Sequence, residues 1–408
     1  MGHPLCAYPM MILTLQPQPS TTIYGMWLVV MLLSAETSAS QNPPHLDLVH
    51  ALPSSLINSS SAGASDLKYG FEGGMALHEC GKWHLFMTEM WNDPHWISTR
   101  LAHWQSNASD AFSGWHRQAT LKQGSGNTNG TDDRSHVDAP MIVLNPASGF
   151  YELFYVAYWH GTPNCSLSSC NGSLWRAVAT KKGCEGIGGP FTSDKRILAM
   201  DSQAQPWEGD QGDDSISPPR LISPGLWASF YGSSKEMSFG HFSSGREWNV
   251  GLMTASSLQG PWTRRPSITN PVLGPQAENP VVSPVPAHIG GLWKWVAVFD
   301  WLPHEINGSI GVTWSQDGLS WSSPQLFNVH SQITSGSVTK SWTQSSRTPQ
   351  GLVFLCEDGV AVANSNLTNC DDALLFYTAP EQLPPPHLKF DWDAVGVSTV
   401  RVKRPPEP

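Results

Sequence analysis

The chain has 408 residues, Lys+Arg 23 against Asp+Glu 33, a formal net charge of -10 and 14% charged residues, against about 25% in typical soluble proteins. An acidic chain has no attraction for phosphate backbones, which excludes nucleic acid as a partner, while Gly 36 and Pro 33 exclude an architecture of long helices. Trp 19 is the outlier, and its flat ring with one polar edge suits contact with sugars.

Residues 1–40 read as a leader. The apolar run Met26 to Ala35 is too short to span a bilayer and has the length of a signal-peptide core. Ser38, Ala39 and Ser40 then offer a small-residue cleavage site before Gln41. No Lys or Arg precedes Lys68, so either translation starts at Met26 or the leader is atypical. A secreted protein without membrane attachment after leader removal is expected. Sequons at Asn58, Asn107, Asn129, Asn164, Asn171, Asn307 and Asn366 agree with that compartment. Beyond Cys6 six cysteines remain, none in a CxxC pair, which suits disulfides better than metal. The expected bridges are Cys165–Cys170, Cys356–Cys370 and Cys80–Cys184. Residues 41–66, rich in Pro and Ser, read as linker.

From Lys68 a turn glycine followed by an apolar strand recurs at Gly81, Gly149, Gly225, Gly291 and Gly351, with separations of 68, 76, 66 and 60 residues. A further strand follows each, from Ile97, Leu174, Trp248, Ser309 and Ala373. The first four of these lead into a turn and an aromatic: Gly114-Trp115, Gly189-Pro190-Phe191, Gly260-Pro261-Trp262 and Gly318 to Trp321. This pattern predicts an all-β fold, a five-bladed β-propeller of four-stranded antiparallel blades over 67–385, with 386–408 as closing strand and tail. Trp83, Trp115, Trp227, Trp262, Trp293 and Trp321 recur at equivalent places and are expected to pack sheet on sheet.

A carboxylate precedes each of the first four turn glycines at the start of the innermost strand: Glu72, Asp138, Asp214 and Glu278. Asp213 is an alternative to Asp214, because one step along a strand changes the face. The fifth repeat has Thr339, Lys340 and Ser341 there and no acid. Inner strands converge on the axis, so the acids are expected at one mouth. Crowded carboxyls separate into acid and base, the division that glycosidic hydrolysis needs. Loops at the same end supply Trp91, Asp93, His95, Trp96, Trp159, His160, His241, Trp301 and His304 as candidate sugar contacts, with Asp300 within reach.

On these residues, 68 to about 380 resemble the five-bladed propeller glycoside hydrolases, the superfamily of families 43, 32, 62, 68, 117 and 130. The likeness rests on GFYELFYVAYW, GLMTASSLQGPWTR and SIGVTWSQDGLSW together with the axial acids. The resemblance implies a base or nucleophile Asp in blade one, an auxiliary Asp in blade two and a general acid Glu in blade three. This chain departs from it with Glu72 in blade one and Asp214 in blade three. Asp138-Ala-Pro fits the auxiliary position, and Glu278-Asn-Pro is similar to the usual setting of the acid. The expectation is a monomeric glycosidase acting on a poly- or oligosaccharide, with Glu278 as acid, Glu72 as base or nucleophile, and Asp138 and Asp214 tuning the site. A carbohydrate-binding propeller without hydrolysis is the alternative. A phosphorylase, which would use a cation such as Lys340 or Arg220, is another. No phosphate-cradling glycine loop is present, so no organic cofactor is expected, and an axial calcium is compatible with the fold but not required.

Overall fold

The computed structural model describes residues 42–93, 97–126, 134–159, 171–199, 201–209, 212–236, 246–301, 309–329, 347–357, 360–361, 370–380 and 392–404. The described residues from Pro43 onward form one compact unit. Its strands, in chain order, begin with β1 (His45–Ala51), β2 (Gly70–Glu79), β3 (Lys82–Met90), β4 (Thr99–Ser106) and β5 (Trp115–Gln123). The second array is β6 (His136–Leu144), β7 (Phe150–Tyr158), β8 (Ser173–Lys182) and β9 (Phe191–Ala199). The third is β10 (Asp213–Ile216), β11 (Arg220–Ser223), β12 (Leu226–Glu236), β13 (Arg246–Ala255) and β14 (Thr263–Arg264). The fourth is β15 (Ala277–Pro284), β16 (Trp295–Trp301), β17 (Ser309–Ser315) and β18 (Gln325–Asn328). The chain ends with β19 (Arg347–Phe354), the short pair β20 (Cys356–Glu357) and β21 (Val360–Ala361), then β22 (Asp372–Pro380) and β23 (Asp393–Lys403).

The fold is nearly all-β, and within each array neighbouring strands pair antiparallel. β10 and β11 both pair with β12. Pro218 and Pro219 interrupt them, since proline offers no ladder donor. The largest sheet has eight strands, in the order β19-β22-β23-β2-β3-β4-β5 with β1 on β23. Its two halves meet through a single parallel pair, Gly70 and Asp393. The first strands of the arrays, β2, β6, β10, β15 and β19, pack against one another in that order and back to β2.

Gly81, Gly149, Gly225 and Gly291 lie where the first strand turns into the second, all with φ between 61° and 75°, the left-handed region that favours glycine. The fifth repeat is displaced by one strand from the sequence reading. Gly351 lies inside β19, not in a turn. A Cβ there would come 2.8 Å from Val281 Cγ1, so this glycine permits close approach of β19 to β15. The segment from Ala373 is therefore the second strand of its array, β23 the third and β1 the outermost. Residues 41–66, expected as linker, contain β1 and the buried Ile57 and Ala64.

The tryptophans at the turns join one array to the next. Trp115 meets Phe376 edge-on at 6.2 Å, Trp262 meets Phe154 at 6.2 Å, and Trp321 tilts against Phe230 at 4.8 Å. Each contact sets a ring at or just before the start of a fourth strand on a Phe of a strand in the neighbouring array. Trp83 and Trp227 are buried, and Trp293 packs half-buried against the main core. Cys80–Cys184 and Cys356–Cys370 are bonded as expected. Cys165–Cys170 falls outside the described residues.

Candidate active site

The candidate acids stand at the starts of the inner strands, and each adjoins a break in the ladder. β2 pairs Glu72 with Thr88 and then slips before Gly74. β6 pairs Asp138 with Val156 and slips before Met141, while β15 pairs Glu278 with Asp300 and slips before Val281. In all three strands the residue after the acid has positive φ: Gly73 at 28°, Ala139 at 50° and Asn279 at 49°. Bulges of this kind turn a side chain out of the sheet's alternation. Non-glycine residues held at positive φ mark sites where the surroundings sustain strain, and such sites cluster at functional positions.

Asp138 has the most fully built surroundings. It accepts the Thr88 hydroxyl on Oδ1, which also receives the Ala139 backbone N–H at 2.7 Å. The Ala139 N–H lies 3.0 Å from Thr88 Oγ1 as well. His136 Nε2 lies 3.8 Å from Asp138 Oδ2. A Cβ on Gly73 would sit 3.2 Å from Asp138 Oδ1, so the missing side chain leaves room for this carboxylate against β2. Glu72 and Asp138 therefore start neighbouring strands side by side. In the fourth array, Glu278 and Asp300 pair in register on the adjacent strands β15 and β16, and Asn279 Nδ2 donates to Asp300 Oδ2 at 3.1 Å.

In β10 it is Asp213 that occupies the paired position, opposite Ser233, and Asp214 is the bulged residue. Both are buried. Burial pushes the Asp213 carboxyl well above the usual carboxylate range, with Glu208 and Asp214 adding to the rise and Arg264 opposing it. Arg264 Nη2 is 4.0 Å away and donates to the Ala199 carbonyl, while Arg264 Nε donates to Glu208. The backbone carbonyl of Asp214 accepts Tyr158 Oη at 3.0 Å. The fifth inner strand starts Arg347-Thr348-Pro349, with Thr348 at φ 29° and no acid. Thr339, Lys340 and Ser341 lie outside the described residues.

The loop residues divide. Trp159, just past β7, is 39% exposed. Trp91 is half-buried against the cluster of Ile57, Phe71 and Trp104, and Trp301 packs half-buried beside Phe299. Asp93 receives Lys68 and Tyr69, an anchor for its own loop. His95, Trp96, His160, His241 and His304 fall outside the described residues. Sequence reading passed over Thr88 and His136. His136 was legible, because it precedes Asp138 by two residues and so shares its strand face. Thr88 comes from another strand and left no local signal.

Arg220 lies toward the other ends of the inner strands, where its Nε and Nη2 donate to the Val282 carbonyl at 3.2 and 2.9 Å. A cavity of about 1140 Å³ opens at that end, lined by Met75, Ile142, Trp227, Val281 and Leu352 among others. It is lined by none of the candidate acids. Among the described residues no group of three or more His, Cys, Asp or Glu is arranged to hold a metal ion.

With the strand order and acid positions in place, comparison with solved structures decides the fold. It is the fold of the propeller glycoside hydrolases. A family 117 glycoside hydrolase of the marine bacterium Zobellia galactanivorans superposes with a TM-score of 0.52 at 11% identity, covering 88% of this chain and 90% of that one. A second glycoside hydrolase matches at 0.51 and 14% identity, covering 86% and 92%. An exo-β-1,3-galactanase from Clostridium thermocellum matches at 0.50 and 11%, covering 84% of this chain and 62% of its own. No protein-family model and no curated protein matches the sequence.

Proposed function

We propose that the chain is a secreted glycoside hydrolase in which the five arrays are blades of one propeller and the acids at the inner-strand starts cleave a glycosidic bond. The observation that carries this reading is the recurrence of Glu72, Asp138 and Glu278 directly before a ladder break with a positive-φ residue. Glu278 is the acid that protonates the leaving oxygen. Its neighbour Asp300 is a second carboxyl on the same strand pair, and close carboxyls are how one of a set is kept protonated. Glu72 is the base or nucleophile. Asp138, fixed by Thr88 and the Ala139 amide, grips a sugar hydroxyl and supplies negative charge beside Glu72 for an oxocarbenium-like transition state. Asp214 and Asp213, which holds in β10 the paired position before the slip, stand together at the third inner strand, and Trp159 offers a face for stacking. The leader over 1–40 and the two disulfides support secretion.

Incubation of the purified protein with aryl glycosides and with plant or algal oligo- and polysaccharides tests this. Release of reducing ends from at least one class is expected. Binding without release would favour a carbohydrate-binding propeller. Release that requires inorganic phosphate would favour a phosphorylase, which Arg220 does not support because its guanidinium is held by the Val282 carbonyl.

A further inference from the structure

Three sequons fall among the described residues, and the fold treats them differently. Asn107 follows β4 at the β4–β5 turn and is exposed, as is Ser109, the hydroxyl residue of its sequon. Its Oδ1 accepts Gln105 Nε2 at 3.0 Å, and its own amide nitrogen makes no bond to the described protein. Asn58 is half-buried and knotted into its own turn: Ser60 N and Ser60 Oγ donate to its Oδ1 at 3.0 and 2.7 Å, and its Nδ2 donates to Ser55 Oγ at 3.3 Å. Asn171 is half-buried with φ 50°, and the next residue, Gly172, bridges Gly212 between two arrays. A Cβ on Gly172 would lie 2.0 Å from the Asp213 carbonyl oxygen, so the middle residue of this sequon admits no side chain. The hydroxyl residue of this sequon, Ser173, is buried and donates to the Ala157 carbonyl.

We propose that Asn107 carries an N-linked glycan and that Asn171 does not. The compartment that would form Cys80–Cys184 and Cys356–Cys370 is also the one in which oligosaccharide is transferred to Asn-x-Ser/Thr. In the transfer, Asn107 Nδ2 bonds to the anomeric carbon of a lipid-diphosphate-linked oligosaccharide. The bond from that carbon to the diphosphate oxygen breaks, Nδ2 loses one proton, and the lipid diphosphate leaves. The chain folds around the product at Asn107 because the glycan projects from an exposed turn. At Asn171 the sequon is built into the junction of two arrays, through the Gly172–Gly212 bridge and the buried Ser173. The inference rests on secretion and is independent of hydrolytic activity.

The test is expression of the full chain in a secretory eukaryotic host, enzymatic deglycosylation in heavy-oxygen water, and peptide mapping of protein collected from the medium. Asn107 should be converted to the heavy-oxygen aspartate in most copies, and Asn171 should remain asparagine. Asn107→Gln and Ser109→Ala should each remove the same single increment of mass. An unmodified Asn107, a converted Asn171, or failure of the chain to reach the medium overturns the proposal.

Discussion

Asp138 and Gly73 show how a single residue positions a charge. Replacing Gly73 by Ala would set a methyl against Asp138 Oδ1 and force a side chain into φ 28°. Turnover of Gly73→Ala is expected to fall more than its unfolding midpoint does, read by kinetics and denaturation of the same sample. A second residue-scale prediction concerns His84 and His103, buried and 2.8 Å apart, Nδ1 to Nε2. Burial lowers His84 to about 4 and His103 to about 3, the latter helped by His84 itself. Both are held neutral in the folded state, while the unfolded chain takes up protons near the ordinary value of 6.5. Their contribution is thus complete above pH 6.5 and is lost as pH falls through 6.5 toward 4. Urea midpoints at pH 7, 5 and 4 should fall steadily. His103→Phe should flatten that slope, and an unchanged slope would remove the histidines from the account.

At the scale of elements, the repeat is held by Trp–Phe contacts between arrays. Trp262 is buried against Phe154 and donates Nε1 to the Leu258 carbonyl at 3.3 Å. Trp262→Ala should cost about 3 to 5 kcal/mol, measured by denaturant unfolding, and a cost below about 1 kcal/mol would contradict the packing role. The two bridges should differ, because a disulfide restrains the unfolded chain more when its loop is longer. Cys80–Cys184 spans 104 residues and Cys356–Cys370 spans 14. Replacing each pair by Ser is expected to cost about 4.7 and about 3 kcal/mol, in that order. Four repeats were legible because a turn glycine, two apolar strands and a turn aromatic recur in the same order. The fifth was misread by one strand because Gly351 imitates a turn glycine while serving close packing. Its outer strand, β1, comes from a short Pro- and Ser-rich segment more than 300 residues away, and no local pattern announces that pairing.

For the whole molecule, the ring of inner strands brings together residues far apart in sequence, and this is where sequence reading reached furthest and also stopped. The acids could be found by counting from the turn glycines. The bulges could not, because Ala139 and Asn279 adopt positive φ without being glycine. Nor could the register that pairs Asp213 with Ser233 and leaves Asp214 in the bulge. The proposed chemistry is cleavage of a glycosidic bond by carboxylates at the inner-strand starts. The most direct measurement compares wild type with Glu278→Gln and Glu72→Gln on the best substrate of the panel, with denaturation curves as the control for folding. Each variant should lose about 10²- to 10⁴-fold in turnover with an unchanged unfolding midpoint. Full turnover by the folded Glu278→Gln protein would contradict the account.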